Sequence, residues 1–237
     1  MAQTRFDGSA ILITGGTGAL GSAVGRAFLR EGARVAVTYR DPREFEQLQQ
    51  AAGESGAPRL EGCQVDVTDE SQMQRAVTAL DAKFGRIDAL VHTVGGYAGG
   101  AKLWQTDPAV LERMLALNVR AAFLACRATL PTMLRQDRGC IVTVSARAAL
   151  TQPGGSGAYA ASKAAVLALM HSLSLDLKGT GVRVNTVLPN VIDTAANRRE
   201  MPQADFASWS KPEDIARVIM FLCGPESSVM NGAAIPV

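Results

Sequence analysis

Aromatic residues, histidine and cysteine are all scarce in this chain of 237 residues. Phenylalanine, tryptophan and tyrosine together make up 5% of it, and it holds two histidines and four cysteines. The cysteines are far apart, and none is spaced as in a metal site or a redox-active pair. We therefore expect no metal centre, and four reduced thiols of the kind that cytoplasmic proteins carry.

An excess of charge of one sign and long apolar runs are also missing. Lysine and arginine total 24 against 22 aspartates and glutamates, which gives a formal net charge of +2. Without a basic patch, the chain offers little attraction to nucleic acid or to an acidic membrane surface. No apolar stretch reaches the ~18 residues that span a bilayer, and residues 1–8 do not resemble a secretory leader. These absences predict a cytoplasmic protein that binds neither nucleic acid nor membrane.

Hydrophobic residues, at 47%, and 23 glycines dominate what is present. Short apolar runs predict strands at residues 10–14, 34–38, 62–66, 89–91, 140–144, 183–188 and 233–237. Amphipathic stretches between them predict helices at 20–31, 42–52, 70–84, 108–135, 158–177 and 212–223. This alternation is typical of a Rossmann-type α/β fold, a doubly wound parallel sheet of about seven strands with helices on both faces. We expect residues 1–237 to form a single domain, with residues 190–211 as a substrate lid.

A glycine-rich turn follows the first predicted strand, with the sequence TGGTGALG at residues 14–21. Glycines let the backbone approach a pyrophosphate, and the next helix offers its unpaired N–H groups to the anion. The turn therefore predicts dinucleotide binding. An acidic residue at the end of the second strand would favour NAD(H), but Arg40 stands there. Because an arginine can pair with a 2′-phosphate, NADP(H) is favoured over NAD(H).

Tyr159 and Lys163 lie four residues apart near the start of a predicted helix, so they share one face. That helix follows strand 140–144, whose end opens on the ligand crevice of a doubly wound sheet. Carbonyl reduction needs a proton donor at the oxygen. A free tyrosine has a pKa of ~10, which a lysine ammonium one turn away, together with a positively charged nicotinamide, is expected to lower. We predict an acid/base pair, whereas His92, at the end of a buried strand, is predicted to be structural.

Several motifs occur together in one order and spacing along essentially the whole chain. They are the glycines of residues 15–21, Asp66-Val67, Asn118-Val119, the YAASK sequence from Tyr159 to Lys163, and residues 189–194. Together they resemble the short-chain dehydrogenase/reductase family. The resemblance implies that Tyr159 is the general acid/base, that Lys163 binds the nicotinamide ribose, and that Asn118 holds a relay water.

Motifs and resemblance together also imply a set of cofactor-binding residues. These are Gly15, Thr17, Gly18, Leu20, Gly21, Arg40, Asp66, Val67, Val94, Gly95, Tyr159, Lys163, Pro189, Ile192 and Thr194. The family usually forms subunit contacts between helices, and helix 108–135 has broad apolar coverage, with Met114, Leu117 and Phe123 among its residues. A homodimer or homotetramer is therefore expected.

One departure from the family pattern concerns the serine that orients the substrate. That serine normally precedes the tyrosine by thirteen residues, where this chain has Ala146. The adjacent Ser145 takes the catalytic role if the loop shifts by one residue. The alternative is a structural serine at the end of a strand.

A second resemblance concerns the dihydropteridine reductase branch of the same family, which also lacks that serine. It rests on residues 16–22, 95–100, 146–150 and 197–209, and it implies reduction of a pterin-type ring. Tyr97 is then expected to stack on the substrate. Phe206 and Trp209, in the predicted lid, either close over the nicotinamide or pack on the following helix. Asn118 argues against this branch, which lacks it.

The sequence thus predicts an oxidoreductase that transfers a hydride between NAD(P)(H) and a small carbonyl or alcohol substrate. Pterin reduction is the first alternative. The second, from another class, is a dinucleotide-sensing protein without turnover, and the joint presence of Tyr159, Lys163 and Asn118 argues against it.

Overall fold

The structure, a computed structural model, describes residues 4–237. Its strands are β1 (Ala10–Thr14), β2 (Arg34–Tyr39), β3 (Leu60–Gln64), β4 (Ala89–His92), β5 (Gly139–Val144), β6 (Val182–Leu188) and β7 (Ala234–Pro236). They form one parallel sheet in the order β3-β2-β1-β4-β5-β6-β7. The predicted Rossmann-type sheet of seven strands is confirmed. Because the strand order reverses between β1 and β4, a crevice opens there at the carboxyl ends of the strands.

Nine α-helices lie within residues 4–237. They are α1 (Ala19–Arg30), α2 (Pro42–Gly56), α3 (Glu70–Phe84), α4 (Pro108–Met114), α5 (Ala121–Arg135), α6 (Ala148–Thr151), α7 (Gly157–Asp176), α8 (Ala195–Glu200) and α9 (Pro212–Cys223). A π-helical segment, Leu115–Arg120, joins α4 to α5, so the helix predicted at 108–135 is continuous but locally widened.

Two apolar layers hold the helices on opposite faces of the sheet. Successive strand residues point to opposite faces, so Ile11 and Ile13 of β1 belong to one layer and Leu12 to the other. The first layer includes Phe28 of α1 and Ile219 of α9. The second contains side chains of α3, α5 and α7. Helices on both faces, as predicted, leave the strand ends free to form a site.

The segment predicted to lack regular structure, residues 190–211, is more ordered than expected. It contains α8 and a 3₁₀ turn, Phe206–Ser208. The Thr194 side chain caps α8 by accepting a hydrogen bond from the Asn197 amide at 3.1 Å. At six residues, α8 is too short to show the apolar periodicity that identifies a helix in sequence.

No helix within residues 4–237 is both long and apolar enough to cross a membrane. In the same range, no group of three or more histidine, cysteine, aspartate or glutamate side chains is placed to hold a metal ion.

Candidate active site

The glycine-rich turn after β1 is held against the end of β2 and the start of α1. The Gly15 amide donates to Thr38 Oγ1 at 3.0 Å, and the Gly16 amide donates to the Thr38 carbonyl at 3.1 Å. Gly15 has a φ of +72°, a left-handed conformation that glycine adopts without strain. A Cβ on Gly21 would overlap the Gly15 carbonyl oxygen. The turn therefore requires glycine at these positions for its close approach to α1.

The other predicted residues of the turn have different surroundings. Gly18 is exposed and caps α1 in an extended conformation, while Leu20 is buried beneath the turn. Thr17 projects from the turn, and its hydroxyl donates to a carboxylate oxygen of Glu44 in α2 at 2.7 Å. Sequence reasoning missed Glu44 because it lies 27 residues from Thr17.

The loop after β4 contacts both the glycine-rich turn and the predicted catalytic residues. A Cβ on Gly15 would lie 2.8 Å from Val94 Cγ2, so the two loops touch. A Cβ on Gly95 would lie 2.9 Å from Lys163 Nζ and 3.0 Å from Asn118 Oδ1. The structure thus brings Val94, Gly95, Asn118 and Lys163 together at the switch point of the sheet.

Lys163 is fixed to the end of β5. Its Nζ donates to the Val144 carbonyl at 3.1 Å, and its side chain is buried. Burial lowers the pKa of Lys163 to about 8, because an ammonium is disfavoured where water is excluded. The group is still protonated at pH 7, so it presents a single positive charge at the base of the crevice.

Tyr159 lies half-buried one turn before Lys163, on the same face of α7. Burial raises the pKa of its hydroxyl to about 12, and the neighbouring Tyr97 adds to the rise. Within the protein alone, loss of hydration dominates, and the predicted lowering, which also requires the positive charge of a bound nicotinamide, stays a prediction. A neutral phenol at pH 7 is the form that can donate a proton to a carbonyl oxygen.

Asn118 joins the loop after β4 to α7. Its Oδ1 accepts from the Gly96 amide at 2.8 Å, while its Nδ2 donates to the Gly96 carbonyl at 3.2 Å and to Ser162 Oγ at 2.8 Å. The Ser162 hydroxyl in turn donates to the Tyr159 carbonyl at 2.7 Å. The amide of Asn118 therefore positions the helix that carries Tyr159. Its predicted relay water stays a prediction.

Ser145 lies directly after β5 and is bonded to helix α7. Its buried hydroxyl donates to the Lys163 carbonyl at 2.9 Å, which fastens the residue after β5 to α7. The neighbouring Ala146 is buried as well. This contact matches the structural alternative considered from the sequence, and the catalytic role of Ser145 stays a prediction.

His92 ends β4 beneath the site. Its Nδ1 shares a hydrogen bond of 2.7 Å with Thr14 Oγ1, and its buried Nε2 has no partner among the described residues. Burial, and secondarily the charge of Lys163, lower its pKa to about 3. His92 is therefore a neutral imidazole at physiological pH, consistent with a structural role.

The three predicted substrate residues fall into two groups. Tyr97 is 65% exposed, and its ring meets that of Tyr159 edge-on, with centroids 5.0 Å apart. Phe206 and Trp209 instead pack on each other at 4.8 Å, with Trp209 buried. The guanidinium of Arg198 covers the Phe206 ring at 4.6 Å. Only Tyr97 is thereby placed next to the predicted acid/base.

The remaining predicted cofactor residues lie on the loops after β2, β3 and β6. Hydrogen bonds from Thr68 lower the pKa of Asp66, and the charge of the exposed Arg40 adds a smaller part. Val67 is buried. Pro189 is buried directly after β6, and Ile192 forms a β-bridge with Ser210 that closes the base of the 190–211 segment. These residues and Thr194 all follow carboxyl ends of strands.

Comparisons with known proteins identify the family of this chain. A family model described as enoyl-(acyl carrier protein) reductase matches residues 16–237. The D-threitol dehydrogenase of Mycolicibacterium smegmatis is 34% identical over 242 aligned positions, which cover 97% of this chain and 91% of that protein. The chain belongs to the short-chain dehydrogenase/reductase family.

Solved structures of other short-chain dehydrogenases/reductases share the fold over nearly the whole chain. A short-chain type dehydrogenase/reductase from Mycobacterium ulcerans has a TM-score of 0.93 and 28% identity, over 98% of this chain and 89% of that one. An NAD⁺-bound xylitol dehydrogenase has a TM-score of 0.91 and 25% identity, over 98% of each chain. The protein is thus a nicotinamide-dependent short-chain oxidoreductase that acts on a small molecule. The comparisons favour neither the pterin-reducing nor the non-catalytic alternative.

Proposed function

We propose that this oxidoreductase transfers a hydride between NADP(H) and a small carbonyl or alcohol substrate, with Tyr159 as the proton donor and acceptor. The observation that carries the proposal is the convergence of Tyr159, Lys163 and Asn118 at the switch point of the sheet. The names of two relatives, a D-threitol and a xylitol dehydrogenase, support an alcohol and carbonyl couple.

The residues present fit a nicotinamide dinucleotide. Glycines 15 and 21 allow the close packing of the first turn, where a Cβ would meet Val94 or the Gly15 carbonyl, and Gly95 leaves open the space beside Lys163 Nζ. Lys163 would hold the nicotinamide ribose, and Val94, Pro189, Ile192 and Thr194 would line the nicotinamide end. Asp66 and Val67 would contact the adenine. When bound, the cofactor supplies or accepts the hydride.

Tyr159 handles the proton. In reduction, its neutral hydroxyl donates a proton to the substrate oxygen as that oxygen gains negative charge. In alcohol oxidation, Tyr159 accepts the proton, which requires the phenolate. Because burial raises its pKa to about 12, oxidation should accelerate with rising pH. Tyr97 would orient a ring or chain of the substrate, and residues 190–211, with Phe206 and Trp209, would close as a lid.

Substitution Tyr159→Phe tests the proposed role directly. It removes the hydroxyl and keeps the ring, so cofactor affinity should change less than about threefold while turnover falls by about 10²–10⁴-fold. Turnover would be followed as NADPH oxidation with a panel of ketones, and binding by NADPH fluorescence. Unchanged turnover in the variant would remove Tyr159 from the mechanism.

Arg40 supports the preference for NADP(H), because a guanidinium can pair with the 2′-phosphate. Substitution Arg40→Ala should weaken NADPH binding about tenfold or more, which corresponds to one lost charge-assisted contact. NADH binding should change little. Equal losses for both cofactors would contradict the proposed preference.

We also propose a homodimer or homotetramer. Phe123 and Leu134 of α5 are exposed, and they border an apolar groove that Leu169 and Leu173 of α7 complete. A second copy would cover this groove. Sedimentation of wild type and of Phe123→Asp tests this: dissociation of the variant supports the assignment, and an unchanged mass contradicts it. The cytoplasmic location stays a prediction.

A further inference from the structure

A carboxylate of helix α2 is bonded to the glycine-rich turn. The Thr17 hydroxyl donates to Glu44 Oε2 at 2.7 Å. Glu44 lies in the first turn of α2, where it is exposed to solvent. The bond therefore links the turn after β1 to the helix after β2, across a surface that a ligand can reach.

The hydrogen bond between Thr17 and Glu44 lies where a dinucleotide-binding fold holds the adenosine ribose. Hydrogen bonds from the Gly15 and Gly16 amides to Thr38 hold the turn against the end of β2. Arg40 follows that strand directly, and α2 begins at Pro42. In a dinucleotide-binding fold, the ribose and its 2′ substituent lie between the first turn and the end of the second strand. Thr17, Arg40 and Glu44 therefore border the same small surface, which the exposed Asp41 and Arg43 also flank.

We propose that Glu44 is a specificity-determining residue that opposes the 2′-phosphate of NADPH; this inference rests on the proposed function. A carboxylate and a phosphate both accept hydrogen bonds, and the Thr17 hydroxyl has only one proton to donate. The carboxylate of Glu44 takes that proton and repels a second anion beside it. The 2′-hydroxyl of NADH is uncharged and can itself donate to Glu44. Glu44 thus offsets part of the attraction of Arg40 for the 2′-phosphate, so the preference for NADPH is smaller than Arg40 alone would give.

Binding constants for NADPH and NADH measured on the full chain test this inference. Wild type, Glu44→Gln and the matched control Glu46→Gln would be titrated at low and high salt. Glu46 is exposed on the same helix, two residues away, so its side chain points elsewhere. Both substitutions remove one negative charge, but only Glu44→Gln removes it from the Thr17 contact.

We expect Glu44→Gln to tighten NADPH binding about 5- to 10-fold at low salt, the size of one removed repulsion at a few ångströms near the surface. The gain should shrink as salt screens the charge. NADH binding should stay within about twofold, since its ribose hydroxyl can pair with either a carboxylate or an amide oxygen. Glu46→Gln should change neither affinity by more than about twofold.

Three results would overturn the inference: unchanged NADPH affinity in Glu44→Gln, an equal gain in Glu46→Gln, or a several-fold loss of NADH affinity. The last result would show that the carboxylate holds the ribose hydroxyls instead. If wild type binds neither cofactor, the proposed function itself fails. If wild type binds NADPH and NADH, and Glu44→Gln leaves the ratio of the two binding constants unchanged, only this inference fails.

Discussion

The buried ammonium of Lys163 should lower the free energy of unfolding of the protein, although the residue is needed for the proposed reaction. Burial lowers its pKa from 10.5 to about 8, so keeping its ammonium charged in the folded protein at pH 7 costs about 3 kcal/mol. Substitution Lys163→Met removes that cost. It also removes the donor to the Val144 carbonyl, which costs about 1–3 kcal/mol in return. We therefore expect the inactive variant to be more stable than wild type at pH 7 by about 1 kcal/mol.

The pH dependence of the stability difference between wild type and Lys163→Met tests the lowered pKa more sharply than the difference at pH 7 alone. Below pH 8, both the folded and the unfolded chain hold the proton of Lys163. Between pH 8 and 10.5, the unfolded chain holds it and the folded protein does not, so the stability of wild type rises with pH. The free energy of unfolding of Lys163→Met relative to that of wild type should therefore fall by about 2 kcal/mol between pH 7 and pH 9.5.

Urea unfolding at fixed protein concentration measures this change. The free energies of unfolding of wild type, Lys163→Met and Lys178→Met would be compared at pH 7 and pH 9.5. Lys178 is exposed, so its variant should differ from wild type by at most about 0.5 kcal/mol at both pH values. A difference between wild type and Lys163→Met that stays constant from pH 7 to pH 9.5 would refute the lowered pKa.

Three further predictions follow from the same site. Because the pKa of His92 is lowered from 6.5 to about 3, wild type should lose about 2 kcal/mol more stability than His92→Asn between pH 7 and pH 5. Equal losses in urea titrations would contradict a buried neutral imidazole. Gly21→Ala should abolish cofactor binding and lower the melting temperature, since its Cβ overlaps the turn. Gly25→Ala, in the same helix with room for a Cβ, should bind normally and gain about 0.5–1 kcal/mol. Ser145→Ala should cost about 1 kcal/mol of stability and less than tenfold in turnover; a larger kinetic loss at unchanged stability would place Ser145 on the substrate.

The sequence predicted most of the fold because buried parallel strands and amphipathic helices leave clear patterns. Strand β1 and helices α3 and α9 begin and end where the patterns placed them. The third strand was predicted at 62–66 and lies at Leu60–Gln64. It is the edge strand of the sheet and only partly buried, so its apolar pattern is weak. Helix α8 was missed because it is short.

The site was predictable where the chemistry depends on spacing. Tyr159 and Lys163 share a helix face because they are four residues apart. The glycines of the turn predict a close approach of its backbone to a neighbouring segment or a ligand. The hydrogen-bond partner of the Ser145 hydroxyl depends on the backbone conformation at the end of β5. The spacing of residues in the sequence does not reveal that conformation. The contact between Thr17 and Glu44 depends on how α2 packs beside the turn. The pKa of Tyr159 depends on its burial, which only the assembled structure sets.

The fate of the hydride tests the central claim most directly. NADPH carrying deuterium at C4, on one face and then on the other, would be incubated with the protein and a ketone that it reduces. Mass spectrometry of the alcohol product would locate the label. The account predicts one deuterium on the carbinol carbon from one face only, formed at least about 10²-fold more slowly by Tyr159→Phe. An unlabelled alcohol from both cofactors, or equal rates for wild type and Tyr159→Phe, would contradict it.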